Sequence, residues 1–314
     1  MDPDPRGAED GELPVSQVRI ERIALSTGVT LNVQHGGPAD APAILFLHGF
    51  PESHRTWRNQ MEDLARDHSV VAPDQRGFAG SDRPEGVDEY QTGKIVQDAM
   101  ALMDALGIEH FTLVGHDWGG AVAWATALQH PIRVRRLVIV NAPHPLVFQK
   151  SLIEDEAQRE ASQYMNFFRS PLAEAGITAI GLDGFLDKLL LSHADATKLP
   201  AEERQRYIDD WKQPGVLTSM LNWYRAAQVE VPLPGAPAKL PAWAHAPFPK
   251  LRVPTLVVWG MKDPALLPVQ LEGLHDLVED LRIVTSDTAG HFITWEEPGT
   301  VTSAIRDFLA ETEA

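Results

Sequence analysis

Cysteine is absent from all 314 residues, which excludes disulfide frameworks, thiolate nucleophiles, iron–sulfur clusters and cysteine-ligated zinc. Positive charge is scarce as well: 27 Lys and Arg stand against 44 Asp and Glu, giving a formal net charge of -17 and a pI near 5.1. Such a chain repels phosphate backbones and anionic lipid surfaces, so nucleic acid is not an expected partner. No segment reaches the roughly 18 consecutive apolar residues that a membrane span needs, and no membrane insertion is expected. Met1 to Glu12 is acidic and rich in Pro and Gly, without the basic start and apolar stretch of a secretory signal. Residues 1–16 therefore read as a disordered acidic tail, and the location as cytoplasmic. A phosphate-binding glycine loop and a His-Glu-x-x-His helix are both missing, so neither cofactor nor metal is expected. The function must rest on oxygen and nitrogen chemistry.

What is present is a large apolar fraction, 44% of residues, ample for a sizeable core in one large domain or two modest ones. Short aliphatic runs recur at Ala43 to Leu47, Val70 to Pro73, Phe111 to Gly115, Val134 to Val140, Thr255 to Gly260 and Leu281 to Ser286. Near-continuous apolar runs of this length predict strands buried on both faces, hence a mostly parallel sheet. Trp57 to Asp67, Thr92 to Leu106 and Gly119 to His130 carry apolar residues at helical spacing between them. The pattern predicts an α/β fold, a central sheet flanked by helices on right-handed crossovers. The alternation stops at about Asn141 and resumes at about Leu251. The interval reads as helical, with aromatic clusters and a stiff proline-rich exit from Val231 to Pro249. We expect core at 17–145 and 246–314, with an inserted helical cap or lid at 146–245.

The strongest local signal is Val114-Gly115-His116-Asp117-Trp118-Gly119-Gly120, after a predicted strand and opening a predicted helix. This is the layout of a nucleophile elbow, in which glycines permit a sharp strand-to-helix reversal that exposes the central side chain. The central residue is usually Ser; here it is Asp117. The oxyanion hole is expected from the backbone amides of Trp118 and of Phe50, in the loop His48-Gly49-Phe50-Pro51. Downstream, Asp263 and His291 each follow a predicted strand, and the order nucleophile, acid, histidine is that of the α/β-hydrolase triad.

Taken together, the chain resembles an α/β-hydrolase of the epoxide hydrolase type, related to haloalkane dehalogenases, from about Val18 to Leu309. The likeness extends to two segments of the insertion, Tyr164-Met165-Asn166-Phe167-Phe168 and Leu221-Asn222-Trp223-Tyr224-Arg225. In that family one tyrosine from each segment points its hydroxyl at the epoxide oxygen, which implies that role for Tyr164 and Tyr224. Trp118, Phe50, Pro51, Phe168 and Phe292 are expected to wall the substrate pocket. The implied partners are a small apolar epoxide and water; the oligomeric state is left open, a homodimer included.

Chemistry supplies an independent reason for the aspartate. A serine displacing a leaving group at an sp3 carbon would end as an ether with no carbonyl for water to attack. An aspartate forms an ester, whose carbonyl lies beside the oxyanion hole and can be cleaved by water activated by His291, with Asp263 orienting the imidazole. An epoxide opens to a basic alkoxide that needs a proton donor, and tyrosine suits it. An alkyl halide needs only hydrogen-bond donors. Haloalkane dehalogenases usually carry Asn or a second Trp for this; after His48-Gly49 the residue here is Phe50. Fluoroacetate dehalogenases carry arginines after the nucleophile, where this chain has Trp118 and Ala121. One departure from the family is Ala79, where Gly is commoner.

Blander readings stand beside these. Asp117 would serve as an ordinary helix cap, His291 as one of 12 histidines satisfied in the fold, and both tyrosines as packing for the insertion. His48 and His116 are expected to hydrogen-bond loops rather than to catalyse. After Val134 to Val140, where some relatives place the triad acid, stands Asn141. Three functions follow: epoxide hydrolase, haloalkane dehalogenase through the same Asp117 ester, and a receptor on a retired hydrolase fold.

Overall fold

Each of the six apolar runs forms a strand in the computed structural model, which describes residues 18–245 and 247–311. The expected tail, residues 1–16, lies outside the described residues. The strands are β1 (Arg19–Ala24), β2 (Thr30–Gly36), β3 (Ala43–Leu47), β4 (Ser69–Pro73), β5 (Phe111–His116), β6 (Val134–Val140), β7 (Thr255–Gly260) and β8 (Leu281–Ser286). They form one eight-stranded sheet in the order β1-β2-β4-β3-β5-β6-β7-β8. All neighbouring pairs are parallel except β1 with β2 and β2 with β4.

The apolar runs of β3 to β7 are continuous because both faces of the sheet are covered there, whereas β8, at the sheet edge, is only half-buried although its apolar run predicts a strand buried on both faces. Ile44, Phe46, Val114, Val138 and Val258 face a cluster with Trp57, Met61, Ile305 and Phe308. Their chain neighbours Leu45, Leu47, Leu113, Ile139 and Val257 face the opposite cluster with Val96, Leu102, Val122 and Trp124. The side-chain period of two thus sends alternate apolar residues into two cores. The registers Leu47↔Gly115, His116↔Val140, Val140↔Val258 and Gly260↔Ser286 bring the C-terminal ends of β3, β5, β6, β7 and β8 level. In parallel α/β sheets this edge is where ligands bind.

Between β6 and β7 the chain leaves the sheet for a series of helices that includes Pro145–Glu154, Gln163–Arg169, Ala173–Leu186, Ala201–Trp211 and Val216–Ala226. Polar bonds tie this insertion to the loops after β3 and β4. Trp211 Nε1 donates to Pro51 O at 2.7 Å, Trp223 Nε1 to Arg76 O at 3.1 Å, and the Tyr207 hydroxyl to Glu52 Oε1 at 3.0 Å. Arg55 adds a bidentate pair to Glu203. Among the described residues no helix is long and apolar enough to cross a membrane.

Candidate active site

β5 ends at His116 and the helix Trp118–Gln129 begins at once, so Asp117 must turn the chain alone. It does so at φ 50 and ψ -121, a conformation that costs a non-glycine residue about 1–3 kcal/mol and persists only where its surroundings enforce it. The reversal brings the helix hard against β3: a Cβ on Gly119 would lie 2.2 Å from Leu47 O. The same turn aims the Asp117 carboxyl away from the sheet. Its Oδ1 accepts from the Phe50 amide at 2.7 Å. Trp118, as the first helical residue, has an amide with no intrahelical acceptor, at the positive end of the helix dipole. Burial pushes the Asp117 carboxyl up, but the hydrogen bond and charge of His291 outweigh it and hold the group below the ordinary carboxylate range.

His291 follows β8 and presents Nε2 to Asp117 Oδ2 at 3.6 Å, while Nδ1 donates to Asp263 Oδ2 at 2.6 Å. Asp263 follows β7 and is itself fixed: Oδ1 accepts from the amides of Ala265 and Leu266, each at 2.9 Å, and Oδ2 from Asn141 Nδ2 at 2.8 Å. Burial favours its neutral form, yet the His291 charge and these donors keep it ionised, below its usual range. For His291 burial pulls downward, but the Asp263 and Asp117 carboxylates prevail and raise it well above an ordinary histidine.

Behind the imidazole lies a buried polar layer. His116 Nε2 donates to His291 O at 2.9 Å, and its Nδ1 lies 3.4 Å from Glu52 Oε2. Glu52 also accepts from Trp295 Nε1 at 3.0 Å. Burial would neutralise Glu52, but His116, Thr56 and Trp295 keep it below the usual carboxylate range. His48, for its part, accepts from the Gln75 amide at 2.9 Å. These histidines bond loops, as expected. Glu52, Asn141 and the Ala265 and Leu266 amides were not anticipated; the one available signal is that each adjoins a motif loop in sequence.

In front of Asp117 is a cavity of about 330 Å³ whose lining includes Asp117, Trp118, Tyr164 and Tyr224 together with Ala121, Phe148 and Leu266. The two tyrosine rings stand 6.1 Å apart at 83°, and the Tyr224 ring meets Trp118 edge-on at 5.1 Å. Burial, then the Asp117 charge, raises the hydroxyl pKa of Tyr164 above 10; for Tyr224, burial, Tyr164 and Asp117 act the same way. Of the side chains expected to wall the pocket, Trp118 does so. Phe50, Pro51, Phe168 and Phe292 are outside this cavity's lining. Phe50 shows Asp117 its amide and turns its ring away, 4.9 Å from Tyr224 and 5.1 Å from Phe168. Phe292 stacks on Trp295 at 5.5 Å, behind His291. The cavity is lined instead by residues beyond β6, such as Pro143, Pro145 and Phe148, and by Val229 and Trp243 on the return path.

The chain is similar to known proteins along most of its length. The model of the α/β hydrolase fold family matches residues 42–298. The AB hydrolase superfamily protein YfhM of Bacillus subtilis is 35% identical over 90% of this chain and 96% of its own length. Epoxide hydrolase A of Mycobacterium tuberculosis is 31% identical over 93% and 98%. Among solved structures, an epoxide hydrolase from metagenomes of hot environments superposes with a TM-score of 0.87 at 45% identity, covering 93% of this chain and 99% of that one. The chain belongs to the α/β-hydrolase family, in its epoxide hydrolase branch.

Proposed function

We propose that this protein hydrolyses small apolar epoxides to vicinal diols through an ester on Asp117, with the insertion at 146–245 acting as a cap over the core formed by 17–145 and 246–314. The observation that carries the reading is one cavity shared by the Asp117 carboxyl and the Tyr164 and Tyr224 rings. Relatives named as epoxide hydrolases support it.

Ring opening begins with Asp117 Oδ2, the oxygen not held by Phe50. It bonds to a ring carbon as the carbon–oxygen bond breaks, and the departing oxygen takes its proton from a tyrosine hydroxyl. Tyrosines whose pKa is raised remain protonated at neutral pH, yet are acidic enough to give a proton to an alkoxide. Ester formation then removes the negative charge on Asp117. One of the two carboxylates that raise His291 is lost, so its pKa falls, its proton passes through solvent to the tyrosinate left by ring opening, and the neutral imidazole is able to accept a proton from water. That water attacks the Asp117 carbonyl carbon. The oxyanion forms on Oδ1, beside the Phe50 and Trp118 amides, and its collapse breaks the bond between the Asp117 carbonyl carbon and Oδ2, which leaves on the substrate carbon. That oxygen takes the proton left on the added hydroxyl, and the diol is released with the carboxylate restored. Asp263 balances the imidazolium throughout.

The test is diol formation from a racemic aryl-substituted terminal epoxide, run for the wild-type chain, Asp117→Ala and the double variant Tyr164→Phe/Tyr224→Phe. Diol from the wild type and none from either variant is the expected result. An unchanged rate in the double variant overturns the tyrosine roles. Halide release from bromoalkanes without diol from any epoxide overturns the substrate class.

A further inference from the structure

The loop that carries His291 is bonded to the insertion through its backbone. The His291 amide donates to His193 O at 3.1 Å. Two residues on, the Asp195 amide donates to Glu296 Oε2 at 3.1 Å. Glu296 in turn accepts from the Gly290 amide, 3.2 Å from each of its oxygens. The result is a closed ring of bonds: Gly290 and His291 on one side, His193 to Asp195 on the other, and the Glu296 carboxyl joining them. Gly290 leaves room for it, because a Cβ there would lie 2.5 Å from His193 O and 3.3 Å from Glu296 Oε1. Glu296 is buried and, like the residues it bonds, is not part of the cavity lining, so its bonds serve position rather than bond-making.

We propose that Glu296 and the cap segment His193–Asp195 form a positioning bridge that seats the general base, so that ester hydrolysis, unlike ester formation, depends on the cap being docked. The physical basis is a difference in what each step asks of His291. In ring opening the nucleophile and the proton donors are Asp117 and the tyrosines, and the imidazole contributes only charge, which falls off slowly with distance. In hydrolysis Nε2 must lie within hydrogen-bond reach of a water that is itself aligned on the ester carbonyl. A displacement of about 1 Å costs up to about a hundredfold in such a step. The cap thereby completes the second half-reaction from a site remote from the substrate.

The inference rests on the two-step reading proposed above, and the experiment separates the two. Steady-state kinetics with the epoxide that the wild type turns over are compared for Glu296→Gln, Asp195→Pro and Asp195→Ala. Gln keeps the volume of Glu296 but puts an NH2 in place of one oxygen, so the Gly290 amide, 3.2 Å from each, meets a donor in either orientation of the side chain. Asp195→Pro removes the bridging amide at a residue whose φ of -70 suits proline. Asp195→Ala is the control, losing only the side chain that caps Thr197 and keeping the amide. Because kcat/KM reports steps through ester formation whereas kcat includes hydrolysis, Glu296→Gln and Asp195→Pro are expected to lower kcat and KM together by about tenfold or more. In both, kcat/KM stays within about twofold and the ester accumulates as a mass adduct; Asp195→Ala behaves as the wild type. A kcat/KM that falls as far as kcat, or variants with wild-type kcat, overturns the bridge while leaving the epoxide hydrolase reading intact. A wild type that forms no diol overturns both.

Discussion

Asn141 and His291 bond the same oxygen: Asp263 Oδ2 receives the Asn141 amide at 2.8 Å and the imidazole Nδ1–H at 2.6 Å. Asn141 sits at the end of β6 with φ 39, and its own Oδ1 accepts from the Gly260 amide at 2.8 Å. It therefore locks the strand end that precedes Asp263 and the carboxylate itself. Asn141→Ala removes one of the donors that keep Asp263 ionised, so the His291 cation loses part of its counter-charge. We expect ester hydrolysis to slow about tenfold, within the range set by loss of one supporting polar partner, with ester formation little affected. Single-turnover quench-flow measures both rates; equal slowing of the two would sink this assignment.

Asp117, Asp263 and His291 are legible as a group because each closely follows an apolar run that forms a strand, and such runs are the segments that sequence marks best. Asn141 was legible only as the absence of an acid, since a donor to a carboxylate leaves no pattern along the chain. β1 and β2 went unanticipated because they form an antiparallel hairpin at the sheet edge. β1 is largely exposed and β2 buries alternate residues, so neither shows an unbroken apolar run. The pocket walls are not legible for a related reason: Phe50 adjoins the site through its amide, and sequence does not say which way the ring turns. Ala79, noted as a departure, sits at φ 39, the conformation that makes glycine the commoner choice there.

A Cβ on Gly49 would lie 2.4 Å from the Asp117 Cβ and 2.5 Å from its Oδ1. Gly49→Ala therefore pushes the Phe50 amide away from the oxygen it holds at 2.7 Å. The loss of one oxyanion donor lowers turnover by about 10²–10³-fold. The melting temperature, followed by calorimetry, should change by only a few degrees. Near-wild-type turnover would mean that the Phe50 amide stabilises no developing charge.

The ester route also fixes where the oxygen comes from. If Asp117 Oδ2 bonds to carbon, the new hydroxyl of the first diol is the aspartate's own oxygen, and water replaces it in the carboxylate. With enzyme in excess over epoxide in H2¹⁸O, mass spectrometry should find unlabelled diol and one ¹⁸O in the peptide that carries Asp117. Label in that first diol would show direct attack of water on the epoxide and retire Asp117 as nucleophile.

For the tyrosines the pKa direction sets a pH limit. Burial and the Asp117 charge raise both hydroxyls above the usual 10, so the protonated, donating form persists into more alkaline solution than a free tyrosine allows. The profile of kcat/KM against pH should accordingly show no tyrosine limb up to about pH 10. A decline centred near pH 9 that disappears in Tyr224→Phe would contradict the raised pKa.

His144 links the same fold to acid sensitivity. It caps the helix Pro145–Glu154, its Nδ1 accepting from the Leu146 amide at 3.3 Å, with Trp124 and Phe248 packed edge-on at 5.0 and 4.9 Å. Among the described residues its Nε2 has no hydrogen-bond partner, and burial lowers its pKa from the ordinary 6.5 to about 4. As pH falls through 6.5 the unfolded chain takes up a proton here that the native protein refuses until about pH 4. The stability linked to this group is therefore full above about pH 6.5 and lost progressively toward pH 4, by about 3 kcal/mol in all. His144→Asn keeps a side-chain cap and does not titrate. It should be the less stable protein at pH 7.5, through lost packing, and should recover most of that 3 kcal/mol relative to the wild type at pH 4.5, as measured by urea unfolding at the two pH values. The same stability difference at both would show that His144 protonates as readily in the folded protein as in the unfolded chain.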